Sequence, residues 1–154
     1  MKLTIISPGK IKEPWLQAGI DEYIKRLSRY CQVQCQQVDD TPDSWTPARA
    51  KEEEGRRLLA RIKPQAWVVV LDLQGRQPDS LELARLLPQW LQNGGSEVVF
   101  VIGGPHGLDQ PVLDRAQATL ALSRLTFTHQ MARLLLLEQC YRAFRIVSGE
   151  PYHK

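Results

Sequence analysis

A chain of 154 residues with 43% hydrophobic and 24% charged residues can bury a core without disulfides or a structural metal, and this composition excludes disordered, collagen-like and low-complexity polypeptides. The formal net charge of +3 is too small by itself to indicate a nucleic-acid partner, and no apolar run approaches the roughly 20 residues of a membrane span. Cys31, Cys35 and Cys140 are odd in number and lack zinc or redox spacing, so they read as reduced thiols; His106, His129 and His153 are scattered, and no metal site is expected. The amino-terminal apolar run is too short for a signal peptide, which leaves a cytoplasmic protein as the expectation.

Residues 3–6 predict a strand, followed by a Gly-Lys loop and a helix over about 15–27, with Pro14 suited to its first turn. Residues 32–38 alternate polar and apolar and predict a half-exposed strand with Val33, Cys35 and Val38 inward. A loop carrying Pro42, Trp45 and Pro47 leads into a highly charged helix over about 48–62, closed by Pro64. Residues 66–73 and 97–102 each hold four successive apolar side chains, Val68 to Leu71 and Val98 to Val101, as expected of strands covered on both faces. Between them a helix over 81–91 ends at Asn93-Gly94-Gly95. A short strand near Leu120 and a helix over about 130–147 complete the chain. This alternation predicts one α/β domain over 1–154, a mostly parallel sheet with helices on both faces.

The last helix is unusually apolar. Leu134, Leu137, Tyr141 and Phe144 form one stripe, and Leu136, Cys140, Ala143 and Val147 form another, roughly 200° away. One stripe can cover the sheet; the other predicts a second burial surface, hence a homodimer. From Arg124 onward, five cations (Arg124, Arg133, Arg142, Arg145, Lys154) face two carboxylates, Glu138 and Glu150, so the whole formal excess lies there. Such a stretch is either a solvated helix face or a phosphate-facing surface.

In an open parallel sheet, ligands bind beyond the carboxyl ends of the strands. Three segments fall there: Leu71-Asp72-Leu73-Gln74-Gly75, Gly103-Gly104-Pro105-His106-Gly107, and Leu122-Ser123-Arg124-Leu125-Thr126-Phe127-Thr128-His129. The glycine cluster is neither a Walker loop nor a GxGxxG motif, so it is a tight turn or a close backbone approach to a ligand that carries no phosphate. His129 can cap a helix, Glu138 and Arg142 have the spacing of a surface ion pair, and no triad or metal motif can be assembled.

Together, Val101-Ile102-Gly103-Gly104-Pro105-His106-Gly107-Leu108, Leu122 through Met131, Tyr141-Arg142-Ala143-Phe144 and Tyr152-His153-Lys154 closely resemble the ribosomal RNA large subunit methyltransferase H family. Lys51-Glu52-Glu53-Glu54-Gly55 and Leu71-Asp72-Leu73-Gln74-Gly75 fit it as well. The resemblance runs from the first strand to the last residue. It implies a SPOUT fold with a carboxyl-terminal trefoil knot, a homodimer, and methylation of N3 of a pseudouridine in 23S rRNA of the assembled ribosome. Carried over by position, it implies S-adenosylmethionine contacts at Leu71, Gly103, Leu122, Ser123, Arg124, Leu125, Thr126 and Phe127. The chain departs from the family at Thr128, where proline is common, and at Ser7-Pro8-Gly9-Lys10.

Because N3 of a uracil-type ring is protonated at neutral pH, a base is expected among His129, Glu138 and His153, with Arg133 or Arg142 stabilising the developing anion or gripping phosphate. The alternatives are a knotted methyltransferase for another rRNA or tRNA site and a non-enzymatic ribosome-associated RNA-binding factor.

Overall fold

Val68, Val69, Val70, Phe100 and Val101 are wholly enclosed, each 0% exposed, because their strands lie in the middle of a sheet covered on both sides. The computed structural model describes residues 1–152, in the order β1 (Lys2–Pro8), α1 (Pro14–Leu27), β2 (Gln32–Val38), α2 (Pro47–Leu59), β3 (Trp67–Arg76), α3 (Ser80–Asn93), β4 (Glu97–Ile102), α4 (Gln110–Arg115), β5 (Ala118–Leu120) and α5 (His129–Val147). The five strands pair in the order β2-β1-β4-β3-β5, every pairing parallel.

Alternation along each strand divides the core in two. Leu3, Ile5, Val69, Val98, Phe100 and Ile102 point to the face packed by α1, α3 and α5. Ile6, Val68, Val70, Val99 and Val101 point to the face packed by α2 and α4. Crossovers running towards the β2 edge (α1, α3) use the first face and those running towards the β5 edge (α2, α4) the second. All four therefore share one hand, as the twist of parallel strands demands. The chain reverses direction at β4, the kind of switch point where a crevice opens.

Local chemistry fixes the element ends. Asp79 Oδ1 accepts from the Glu82 amide at 2.7 Å while Glu82 Oε2 accepts from the Asp79 amide at 3.0 Å, a capping box that starts α3. Thr128 caps α5, its hydroxyl accepting from the Met131 amide at 3.2 Å. Its backbone, at φ −60° and ψ 147°, is one that proline could also adopt. The six-residue α4 is too short for periodicity to reveal, although Val112 within it is fully buried.

Two expectations need correction. Cys35 is exposed: β2 is an edge strand, and of its side chains only Val38 is fully buried. More consequentially, the second stripe of α5 does not face water. Leu136, Cys140 and Ala143 are 0–1% exposed, as deeply buried as Leu137 in the first stripe; only Val147, at 56%, stands out. A helix seated on a sheet between two neighbouring helices has three contact sides, so α5, flanked by α1 and α3, uses a wide apolar arc within one chain. The dimer expectation therefore loses its original support.

Candidate active site

The carboxyl ends of β3, β4 and β5 open into a cavity of about 880 Å³. Its walls are residues 71–73 at the end of β3, 102–108 after β4, 120–123 and 125–127 after β5, and the first residues of α1 and α5. The three loops singled out by sequence thus meet around one space.

Each wall has a local reason for its shape. β3 bulges after Leu71, and pairing with β5 resumes at Arg76 opposite the same Leu120. Asp72 Oδ1 accepts from the Gln74 amide at 3.0 Å within the bulge, and Gly75 closes it. A Cβ there would stand 2.9 Å from both the Asp72 carbonyl oxygen and the Leu120 amide nitrogen. Beyond β5 the chain passes this bulge, the Ala121 amide donating to the Arg76 carbonyl at 2.8 Å. That course is compatible with the trefoil crossing the resemblance implies.

The turn after β4 closes with the Gly107 amide on the Gly104 carbonyl at 3.1 Å, and Gly107 takes φ +83°, where other residues are strained. A Cβ on Gly103 would stand 3.0 Å from the Gly107 carbonyl carbon. The glycine cluster is both a tight turn and a cavity wall.

In the third wall Ser123 Oγ accepts from the Leu125 amide at 3.0 Å, and Leu125 and Phe127 remain 71% and 37% exposed. Seven of the eight residues expected to touch the cofactor line the cavity: Leu71, Gly103, Leu122, Ser123, Leu125, Thr126 and Phe127. Arg124 is exposed and does not.

Among the described residues considered for proton transfer or charge stabilisation, only His129 lines the cavity. Half-buried at the start of α5, its imidazole is pushed below the ordinary range, first by burial and then by Arg133 and Lys12, against an opposing pull from Asp40. Arg133 lies one turn further on, 3% exposed, with Nη2 donating to the carbonyls of Pro8 at 2.6 Å and Gly9 at 2.9 Å. It anchors the loop leaving β1. Glu138 and Arg142 are elsewhere, about 14 and 20 Å along the helix from His129 at 1.5 Å per residue. They pair at 2.6 Å, and Tyr152 donates its hydroxyl to Glu138 at 3.2 Å. His153 lies outside the described residues. The carboxyl-terminal charge excess is mostly spent internally, because Arg133 is buried, Arg142 pairs with Glu138 and Arg145 with Glu150.

Sequence reasoning missed the wall formed by Glu13, Trp15 and Leu16. The Lys12 amide donates to Gln130 Oε1 at 3.3 Å, bringing the start of α1 to the start of α5, a contact between positions 118 apart that no local pattern announces. Among the described residues, no cluster of His, Cys, Asp or Glu could hold a metal ion, and no helix is long and apolar enough to cross a membrane.

The lining residues discriminate between ligands. Among the described residues they include the carboxylates Glu13 and Asp72 and the imidazoles His106 and His129, but no lysine or arginine. Such a wall repels phosphates and suits a phosphate-free nucleoside bearing positive charge.

Comparison with known proteins agrees. A family model described as "Predicted SPOUT methyltransferase" matches residues 1–153. Proteins named "Ribosomal RNA large subunit methyltransferase H" are 48% identical in Acetivibrio thermocellus, 46% in Carboxydothermus hydrogenoformans and 48% in Clostridium botulinum (strain Okra), each alignment covering 100% of both chains. Among solved structures, a probable methylase family protein from Haemophilus influenzae Rd KW20 superposes with a TM-score of 0.54 at 12% identity, over 99% of this chain and 70% of that one, a likeness of fold alone.

Proposed function

The chain belongs to the SPOUT methyltransferase family, and from that premise we propose that it transfers a methyl group from S-adenosylmethionine to N3 of a pseudouridine in 23S rRNA of the assembled ribosome. As the family resemblance implies, it acts as a cytoplasmic homodimer of single-domain chains. The observation that carries this reading is the phosphate-repelling cavity in which three loops and a half-buried histidine converge.

Leu71, Leu122, Leu125 and Phe127 provide the apolar seat for the adenine and the methionine chain, the backbone at Gly103 allows close approach, and Ser123 and Thr126 offer polar contacts. Glu13 and Asp72 complement the positive charges of the ligand. Bound there, S-adenosylmethionine supplies an electrophilic methyl group on a sulfonium. Displacement at that carbon is in line, so much of the acceleration comes from holding the target base in alignment.

His129 has the properties of the base that takes the N3 proton. It borders the cavity, and its lowered pKa keeps it unprotonated at neutral pH. Arg133, committed to the Pro8 and Gly9 carbonyls, acts by positioning the loop beside it. Glu138 and Arg142 hold the end of the chain through Tyr152 rather than meeting substrate in their own subunit. With so little net charge, the protein reads the shape of a folded ribosome, and exposed Arg124 beside the cavity meets phosphate.

The test is transfer of labelled methyl from S-adenosylmethionine to purified ribosomes, followed by mapping of the modified nucleoside. Label on a pseudouridine of 23S rRNA is expected. Label on tRNA alone, or none with folded protein, refutes the proposal.

A further inference from the structure

A buried carboxylate with an idle oxygen lies directly behind the glycine turn. Glu54, on α2, is 4% exposed, and its Oε2 has no hydrogen-bond partner. Its Oε1 accepts from Thr41 Oγ1 at 3.3 Å. Oε2 abuts the backbone of Gly104 so closely that a Cβ added there would stand 2.9 Å from it. The same helix shows what an ordinary surface glutamate does: Glu53 pairs with Arg56 and Arg57 at 2.7 and 2.9 Å. Arg57, whose charge acts on Glu54 from the same helix, is occupied by Glu53 and by the carbonyls of Asp39 and Asp40. A buried polar atom left without a partner calls for a functional explanation, and the turn it touches is a wall of the cavity.

We propose that Glu54 is a positioning residue for the cofactor site, its carboxyl seating the turn 103–107 from behind and holding the shape that closes on S-adenosylmethionine. The inference rests on the cofactor reading of the cavity. A side chain at position 104 would have to displace the Glu54 carboxyl.

Burial raises the carboxyl's affinity for a proton, as does Asp40 from the loop after β2; the Thr41 hydroxyl, His106 of the turn and Arg57 oppose this. Asp109 sits beside the neighbouring Gly55 and adds no cation.

The experiment is calorimetric titration of the full chain with S-adenosylmethionine, for wild type, Glu54→Gln and Glu54→Ala, with folding of each checked by urea unfolding. Glu54→Ala should bind about tenfold more weakly, from loss of the group that backs the turn. Glu54→Gln, which keeps the shape of the carboxyl, should restore most of that affinity. Wild-type affinity in Glu54→Ala, or a folded Glu54→Gln that binds as weakly as Glu54→Ala, overturns the inference while leaving the cofactor assignment intact. If Glu54→Ala does not fold, Glu54→Gln decides alone: affinity close to wild type is expected, and about a tenfold loss overturns the inference. If the wild type binds no S-adenosylmethionine, the cofactor assignment fails and this inference fails with it.

Discussion

Replacing Gly75 by alanine perturbs a point where two cavity walls touch through backbone. The new Cβ would lie 2.9 Å from the Asp72 carbonyl oxygen, 2.9 Å from the Leu120 amide nitrogen and 3.1 Å from the Thr119 carbonyl carbon. None of these atoms belongs to a side chain that could rotate away. Relief requires separating β5 from the β3 bulge by a few tenths of an ångström, where Leu120 pairs with both Leu71 and Arg76 and the Ala121 amide is tied to the Arg76 carbonyl at 2.8 Å. Overpacking of this kind costs about 1–3 kcal/mol. With a urea m-value of about 1–3 kcal/mol per molar, the unfolding midpoint should fall by about 1 M. Cofactor affinity should fall at least tenfold as well, because residues 71–73 and 120–123 line the cavity on either side of the displaced contact. Gly19→Ala is the matched control. Its nearest contacts would be Leu134 Cδ1 at 3.3 Å and Cδ2 at 3.4 Å, on a half-buried side chain that can shift, and alanine favours the helix by about 1 kcal/mol over glycine. That variant should be as stable as wild type or slightly more so. An unchanged midpoint and unchanged affinity for Gly75→Ala would refute the assignment of this glycine to a close backbone crossing.

His129→Ala should lower kcat on ribosomes by about 10²-fold or more with little change in cofactor affinity, read from single-turnover methylation; an unaltered rate removes His129 as the base. Because its folded pKa lies below the ordinary 6.5, protonation favours the unfolded chain. The stability difference between wild type and His129→Ala should therefore be constant above pH 6.5 and shift against wild type as pH falls below it, which urea titrations at several pH values will show. Leu136→Ala, at a site 0% exposed within the subunit, should cost about 2–5 kcal/mol of folding stability without changing the oligomeric state seen by light scattering. Conversion to a folded monomer would return the second stripe of α5 to an interface. Arg124→Ala should reduce the salt slope of ribosome binding by about one and leave cofactor binding untouched.

The sheet was legible because its signals are local. Val68 to Leu71 and Val98 to Val101 are unbroken apolar runs, and only a strand buried on both faces needs them. The three cavity loops were legible because parallel strands deliver their carboxyl ends to one edge. Legibility ended where burial depends on neighbours distant in sequence. Cys35 alternates like an inward residue but lies on an edge strand, and the two stripes of α5 suggested two partners when α1 and α3 supply both within the chain. Glu138 and Arg142 share a helix with His129, yet a helix is long, and membership of it does not bring side chains to one site. Arg133 looked like a free cation and is a buried clamp on Pro8 and Gly9. Trp15 gave no sign of its place in the cavity wall, since only the packing of α1 against α5 puts it there.

The most direct test is a crystal structure of the protein soaked with S-adenosylmethionine. The ligand should lie against Leu71, Gly103, Leu122, Ser123, Leu125, Thr126 and Phe127, with its reactive methyl facing the side occupied by His129 and Trp15. A ligand seated elsewhere, or a cavity that excludes it while admitting a nucleoside triphosphate, would contradict a phosphate-free nucleoside cleft.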